Sequence, residues 1–203
     1  MQFASFTLIF LFLPITMLLF YLTPNRWKRE VMLGISLLFL CSGGWLAAEV
    51  EILLTALTYG AGLLLEHLRQ RKHFSRLVLT GSILLHFGAL LLLRSDWLFS
   101  LKAGWFSGKS LFPLGLAFFT LQSVGYCIDV FRGKIHGEKN WRQLGLYLLF
   151  YPRLIMGPVV SYSVAVKSLC TPVFDIARVG QGLLRFLVGL GKKLILANWL
   201  GML

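Results

Sequence analysis

From Pro113 to Gly133 the chain reads PLGLAFFTLQSVGYCIDVFRG. The segment has the length of a membrane-crossing helix, yet it carries Gln122, Tyr126 and Asp129 and closes on Arg132 and Gly133. An aspartate at the centre of a bilayer costs about 2.5–3.5 kcal/mol on insertion scales, unless it faces a protein interior or a water-filled path. On a helix these three polar residues fall at i, i+4 and i+7, which is one face. Gly115 and Gly133 lie on the same stripe, so polar groups alternate with positions of close approach. A span built only to sit in lipid needs no such stripe. This face is therefore predicted to line a substrate channel or a protein interior.

The rest of the chain places the segment among others of its kind. Hydrophobic residues make up 57% of the sequence and charged residues 14%, against roughly 25% charged in a soluble domain. Mean hydropathy is +0.76. The net charge of +12 could suggest nucleic acid, but the Lys and Arg residues stand in short runs between apolar segments, so nucleic acid is excluded as a partner and the lipid bilayer takes its place. The 3 cysteines, Cys41, Cys127 and Cys170, are scattered, with no CxxC or Cys/His spacing. They support neither a disulfide framework nor a metal site and read as small packing residues.

Spans are predicted at about 3–22, 31–48, 52–66, 77–93 and 111–131, followed by two irregular membrane regions, 144–166 and 179–203. The first span lacks a basic leader and a small-x-small cleavage site, so it is read as uncleaved. Alternate connections carry Arg26, Lys28 and Arg29, then Arg69, Arg71, Lys72 and Arg76, then Arg132, Lys134, Lys139 and Arg142. The intervening ones, near 49–51 and 94–110, hold only Arg94, Lys102 and Lys109, with Glu49, Glu51 and Asp96. By the positive-inside rule the basic loops are cytoplasmic and the N-terminus is outside. The reading is an all-α, multispanning helical membrane protein of a single domain over 1–203, with broken or re-entrant helices in its C-terminal third.

In the first irregular region, LGLYLLFYPRLIMGPVVSY, Pro152 and Pro158 interrupt an apolar run around Arg153. Each proline removes a backbone donor and kinks or ends a helix, and broken backbone at membrane depth survives only where protein buries it or it lines a cavity. Arg153 would find its partner inside the protein, Asp129 being one candidate and Arg132 the other cation near that carboxylate. In the second region Gln181, Arg185 and Lys192 share roughly one helical face, with Lys193 beside it. Two readings stand for these cations. They snorkel to lipid phosphate, or they meet the phosphates of a nucleotide-containing donor or an acidic carrier protein. The chain ends in ILANWLGML, about half the ~20 residues a crossing needs, and is read as unfinished.

These residues together carry a resemblance. PLGLAFFTLQSVGYCIDVFRG resembles the PLGISFYTFQ…SYxIDVYRG signature of the membrane-bound O-acyltransferases, nearest the bacterial alginate O-acetyltransferase branch. YLLFYPRLIMGPVVSY, from Tyr147 to Tyr162, is similar to that branch's FFPQLIAGPIVRY and includes Gly157 and Pro158. GLGKKLILANWLG, from Gly189 to Gly201, is similar to GLxKKVxIAN and includes Asn198. The family often has Gln where this chain has Arg153, Arg where it has Ser161, and FKY after the fourth span where it has LLLRSDW.

The resemblance implies the N-terminal half of an enzyme that O-acetylates an extracytoplasmic polysaccharide, located in the bacterial inner membrane. It implies a cytoplasmic acyl donor, acetyl-CoA or an acyl-carrier thioester, with no cofactor bound. The implied partners are periplasmic acetyl-transfer or polysaccharide-assembly proteins and a C-terminal half. That half carries an RRWHISLS-like segment whose His is held to be essential. Residues 1–203 contain no such segment. Of the 4 histidines, His67, His73 and His136 lie in basic loops, and His86 is read as a hydrogen-bonded packing residue within the fourth span. No residue is assigned as catalytic. A non-catalytic membrane scaffold and a small transporter are the alternatives, and the latter would more often show an internal repeat.

Overall fold

The structure is a computed structural model and describes residues 8–94, 115–154, 160–170, 176–192 and 195. Among them every regular element is helical. A π-helical turn, Leu8–Phe12, leads into α1 (Leu13–Leu22), followed by α2 (Lys28–Gly43), α3 (Trp45–His67) and α4 (Lys72–Arg94). After the undescribed stretch come α5 (Leu116–Phe131), α6 (Trp141–Leu149), the single turn α7 (Tyr151–Leu154), α8 (Tyr162–Cys170) and α9 (Ile176–Gly191). The chain divides into two compact units, Met1–Cys170 and Thr171–Leu203.

Within the first unit α3 is the central helix, packed against α2, α4, α5 and α6. Among the described residues, α3 and Lys72–Leu93 are the two helices long and apolar enough to cross a membrane; the helices Phe10–Leu22 and Leu116–Phe131 are apolar but shorter. On the two long helices Leu53, Leu77, Leu84 and Leu91 are all 60% exposed or more. Leucines left this open on long apolar helices match a hydrocarbon surrounding, which sets no cost on them.

The predicted second span, 31–48, is not one helix. The chain breaks at Gly44, whose φ of 147° lies where side-chain-bearing residues rarely go. The connection expected near 49–51 therefore falls earlier, and Glu49 and Glu51 belong to α3. Glu51 is fully buried there, and neither of its carboxylate oxygens has a hydrogen-bond partner among the described residues.

Helix ends follow local chemistry. Phe-Arg-Gly-Lys closes α5 as a Schellman motif: the Lys134 N–H bonds the Asp129 carbonyl at 3.0 Å and the Gly133 N–H bonds that of Val130 at 2.9 Å. This needs a left-handed residue at Gly133, φ 72°. Asn140 caps α6, its side chain accepting from the Arg142 N–H at 3.1 Å. Pro152 stops that helix, because Pro has no N–H to offer the carbonyl of Leu148. The break falls at Phe150, and Tyr151 starts the next turn.

The described part of the second unit, taken alone, is built on α9. Gln181, Arg185 and Lys192 are exposed on one side, and Val179, Leu183 and Leu187 fall on the other, an amphipathic helix.

Candidate functional site

The polar stripe of α5 turns toward protein. Breaking the chain at Phe150 leaves the last carbonyls of α6 without intrahelical partners, and Gln122 takes one of them. Its amide Nε2 donates to the Tyr147 carbonyl at 2.7 Å, with the Gln122 side chain 5% exposed. The freed Tyr151 N–H turns the other way and donates to the Ser36 hydroxyl at 3.3 Å. The two groups that the break at Phe150 separates, the Tyr147 carbonyl and the Tyr151 N–H, are thus met by side chains of two other helices.

One turn along α5, Tyr126 is buried and its hydroxyl accepts from the Glu138 N–H at 2.8 Å. Glu138 is the centre of this end of the molecule. Its carboxylate accepts from the Tyr162 hydroxyl, from Gln143 Nε2 at 3.1 Å and from the Asn140 N–H at 2.8 Å. Gln143 also donates to the Tyr162 hydroxyl at 3.2 Å. The Tyr162 ring stands edge-on to Tyr126 and to Tyr147, with centroids 5.2 and 5.1 Å away. Tyr147 in turn donates to the Val160 carbonyl at 2.8 Å. Two segments far apart in the sequence, 113–133 and 147–162, are tied together here through residues 138–143.

The loop before α6 is clamped onto α3 as well. Glu66 accepts from the Gly137 N–H at 3.2 Å and meets His136 Nδ1 at 2.9 Å. The Tyr59 hydroxyl donates to the Lys139 carbonyl at 2.7 Å. Glycine is required at this contact. A Cβ on Gly62 would sit 2.8 Å from the Tyr126 ring, and one on Gly137 would sit 2.7 Å from the Gly62 carbonyl oxygen.

Asp129 departs from expectation. It pairs neither with Arg132 nor with Arg153. Its Oδ1 lies 3.8 Å from Lys134 Nζ, and the two side chains are 21% and 62% exposed. The reason is the cap: Asp129 is the residue whose carbonyl receives the Lys134 N–H, so the turn that closes α5 brings Lys134 back beside it. Such an exposed pair is worth only about 0–1 kcal/mol. Arg132 is exposed, and Pro152 is exposed on α7. Arg153 lies over the Phe150 ring, 5.6 Å from its centroid, and its Nη1 is buried with no hydrogen-bond partner among the described residues. Gly157, Pro158, Lys193 and Asn198 fall outside the described residues.

His86 is held as a packing residue. Its Nδ1–H donates to the Ser82 carbonyl at 2.8 Å, Nε2 faces the Thr58 hydroxyl at 2.9 Å, and the ring stacks on Phe119 at 6.4 Å. His67, His73 and His136 are exposed. Cys41 and Cys127 are free thiols, and no cluster suited to a metal occurs among the described residues.

Sequence reasoning missed Glu138 and Gln143, which stand in a polar stretch whose periodicity is silent, and Glu66, which ends the apolar run of α3 and reads as the edge of a span. Only Asn140 left a signal, a capping residue just ahead of Trp141. Reasoning also missed that Thr120 and Ser123 on α5 are fully buried, with hydroxyls that have no partner among the described residues.

Comparison with known proteins finds relatives along this whole chain. It is 28% identical over 204 residues to a Pseudomonas fluorescens protein described as "Probable alginate O-acetylase AlgI", covering 98% of this chain and 39% of that protein. A protein of the same description from Azotobacter vinelandii is 27% identical over 212 residues, 98% of this chain and 42% of its own length. A Helicobacter pylori peptidoglycan O-acetyltransferase is 25% identical over 113 residues, 42% of this chain and 21% of that protein. No family model and no solved structure matches. The resemblance drawn from the three motifs to the alginate O-acetylase branch of the membrane-bound O-acyltransferases therefore extends over the full chain. The chain spans about two fifths of the length of the curated relatives it matches along its whole length. Those relatives and the two long apolar helices support a membrane location.

Proposed function

We propose that residues 1–203 form the N-terminal part of a membrane O-acyltransferase that moves an acetyl group from a cytoplasmic thioester to a hydroxyl of an extracytoplasmic polysaccharide. The observation that carries this reading is the joining of two motif segments into one bonded cluster, Gln122 on Tyr147 and Tyr126 with Tyr162 through Glu138. Residues that resemble a family's signature meet in space and hold one another. Acetyl-CoA or an acyl-carrier thioester is the donor on this reading. Arg185, Lys192 and Lys193 are cations available to its phosphates or to lipid headgroups.

The chemistry assigns this part of the molecule a supporting role. Transfer to a hydroxyl needs a general base, and imidazole titrates near neutral pH. His86 is the histidine inside the bundle, and both of its ring nitrogens are engaged. Residues 1–203 thus build wall and not base, and the base comes from a C-terminal half bearing the RRWH-type segment.

The test is expression of residues 1–203 in a host lacking its own polysaccharide O-acetylase, with acetyl measured on the secreted polymer. No acetyl is expected from these residues alone, and acetyl is expected when a separate C-terminal half of a relative is co-expressed. Acetylation by residues 1–203 alone that disappears in His86→Ala would overturn both the assignment of the base and the reading of His86.

The orientation that follows from the charges puts the basic connections in the cytoplasm and the N-terminus outside, and on the acyl-transfer reading the membrane is a bacterial inner membrane. Reporter fusions at Lys28, Lys72 and Lys139 are expected to report cytoplasm, and fusions at Gly44 and Gly104 the outside. A cytoplasmic signal at Gly44 would reverse the assignment.

A further inference from the structure

Between α2, α3 and α6 lies an apolar cavity of about 450 Å³, walled by Leu33, Leu37, Ile52, Ala56 and Leu149 and closed at one end by Trp141. Ile52 is 45% exposed and Trp141 58%, so the cavity opens sideways along the bundle. A second hollow, of about 480 Å³, shares Trp141 with it and has Arg29, Lys139 and Arg142 in its wall. Each volume lies within the roughly 300–1,000 Å³ that holds a small molecule. Along α2 the pair runs from Arg29 to Leu37, and along α6 from Trp141 to Leu149, about 12 Å at 1.5 Å per residue.

We propose that this paired hollow binds one phospholipid with an anionic headgroup, phosphate against Arg29 and Lys139, and an acyl chain in the apolar cavity beneath Trp141. Charge decides the headgroup. Three cations, Arg29, Lys139 and Arg142, and two carboxylates, Glu30 and Glu138, line the polar hollow, which leaves it one net positive charge. Glu138 accepts from Tyr162, Gln143 and Asn140, and Glu30 has Arg142 at 3.8 Å from one oxygen, its Oε2 having no hydrogen-bond partner among the described residues. Among the described residues Arg29 has a long bond, 3.4 Å, to the neutral amide of Gln143. The Lys139 side chain is exposed. A basic pocket at the end of membrane helices is the arrangement that holds anionic lipid heads. An indole placed where the polar and apolar hollows meet has the amphipathic position that Trp takes at a bilayer interface. The inference rests on a membrane location and not on the acyl-transfer reading.

Trp141 supplies the test. The 203-residue chain, purified in detergent, is titrated with phosphatidylglycerol or phosphatidylcholine carrying dibrominated acyl chains, and the quenching of tryptophan fluorescence is followed. Phosphatidylglycerol is expected to give a saturable component that is absent in Trp141→Phe. In Arg29→Gln/Lys139→Gln its midpoint is expected to rise about twenty-five-fold, from about fivefold per lost cation. Ala56→Phe, at an exposed position that faces the cavity, is expected to remove the component by filling the acyl site. Thermal melts of both variants close to the parent's would show that the fold is kept. Equal midpoints for the two lipids, or a midpoint unmoved in the double variant or in Ala56→Phe, would overturn the proposal. So would displacement of the brominated lipid by acetyl-CoA, which would assign the hollow to the thioester donor.

Discussion

Glu138→Ala is expected to lower the stability of the solubilised chain by about 2–4 kcal/mol. Three donors converge on this carboxylate, the Tyr162 hydroxyl, Gln143 Nε2 and the Asn140 N–H. Hydrogen bonds to charged groups contribute about 1.5–3 kcal/mol each. The site is only partly buried, so water recovers some of the loss and the sum falls short of three full bonds. Glu138→Gln keeps one acceptor oxygen and should cost about half as much. Lys139→Ala, next in sequence but with an exposed side chain, should change stability by less than about 0.5 kcal/mol. Midpoints of thermal or denaturant unfolding in detergent give the ranking. A cycle with Tyr162→Phe should return a coupling of about 1 kcal/mol or more, because the two groups share one network. Additive single effects would mean that Glu138 and Tyr162 act separately and that the hub is not one.

The second large effect is steric and has an internal control of opposite sign. At Gly62 an added Cβ would lie 2.8 Å from the ring and hydroxyl of Tyr126. That ring is 1% exposed and its hydroxyl is bound to the Glu138 N–H, so it cannot swing aside freely. Overpacking of this kind costs about 1–3 kcal/mol and sometimes more, against a gain of about 0.8–1 kcal/mol from replacing glycine by alanine in a helix. Gly62→Ala is therefore expected to be net destabilising, and Gly62→Val to cost about 3 kcal/mol or more. Gly60, on the same helix, has nothing within 4 Å of its would-be Cβ. Gly60→Ala should leave stability unchanged or raise it by up to about 1 kcal/mol. If both alanines behaved alike, the close approach of α3 to Tyr126 would be refuted.

The helical class, the apolar segments and the face shared by Gln122 and Tyr126 could be read from the chain, because each depends on residues within two turns of one another. A period of 3.6 fixes which residues look the same way. The cap at Gly133 and the stop before Pro152 are local in the same sense. The sequence also carried the similarity to O-acetyltransferases, since a motif is a local pattern.

What the face looks at is not local. Gln122 finds a carbonyl on α6 only because Pro152 ends that helix and leaves the carbonyl open. Glu138 becomes a hub only because α5, α6 and α8 meet over it. Asp129, an attractive partner for a buried arginine on sequence grounds, is instead carried to the rim by the turn that Gly133 makes, with Lys134 beside it. Glu51, expected near a connection, is drawn inside by a break that falls at Gly44. Periodicity determines the direction of a side chain relative to its own helix axis. The partner it meets depends on how the helices pack, and that is decided by where each one ends.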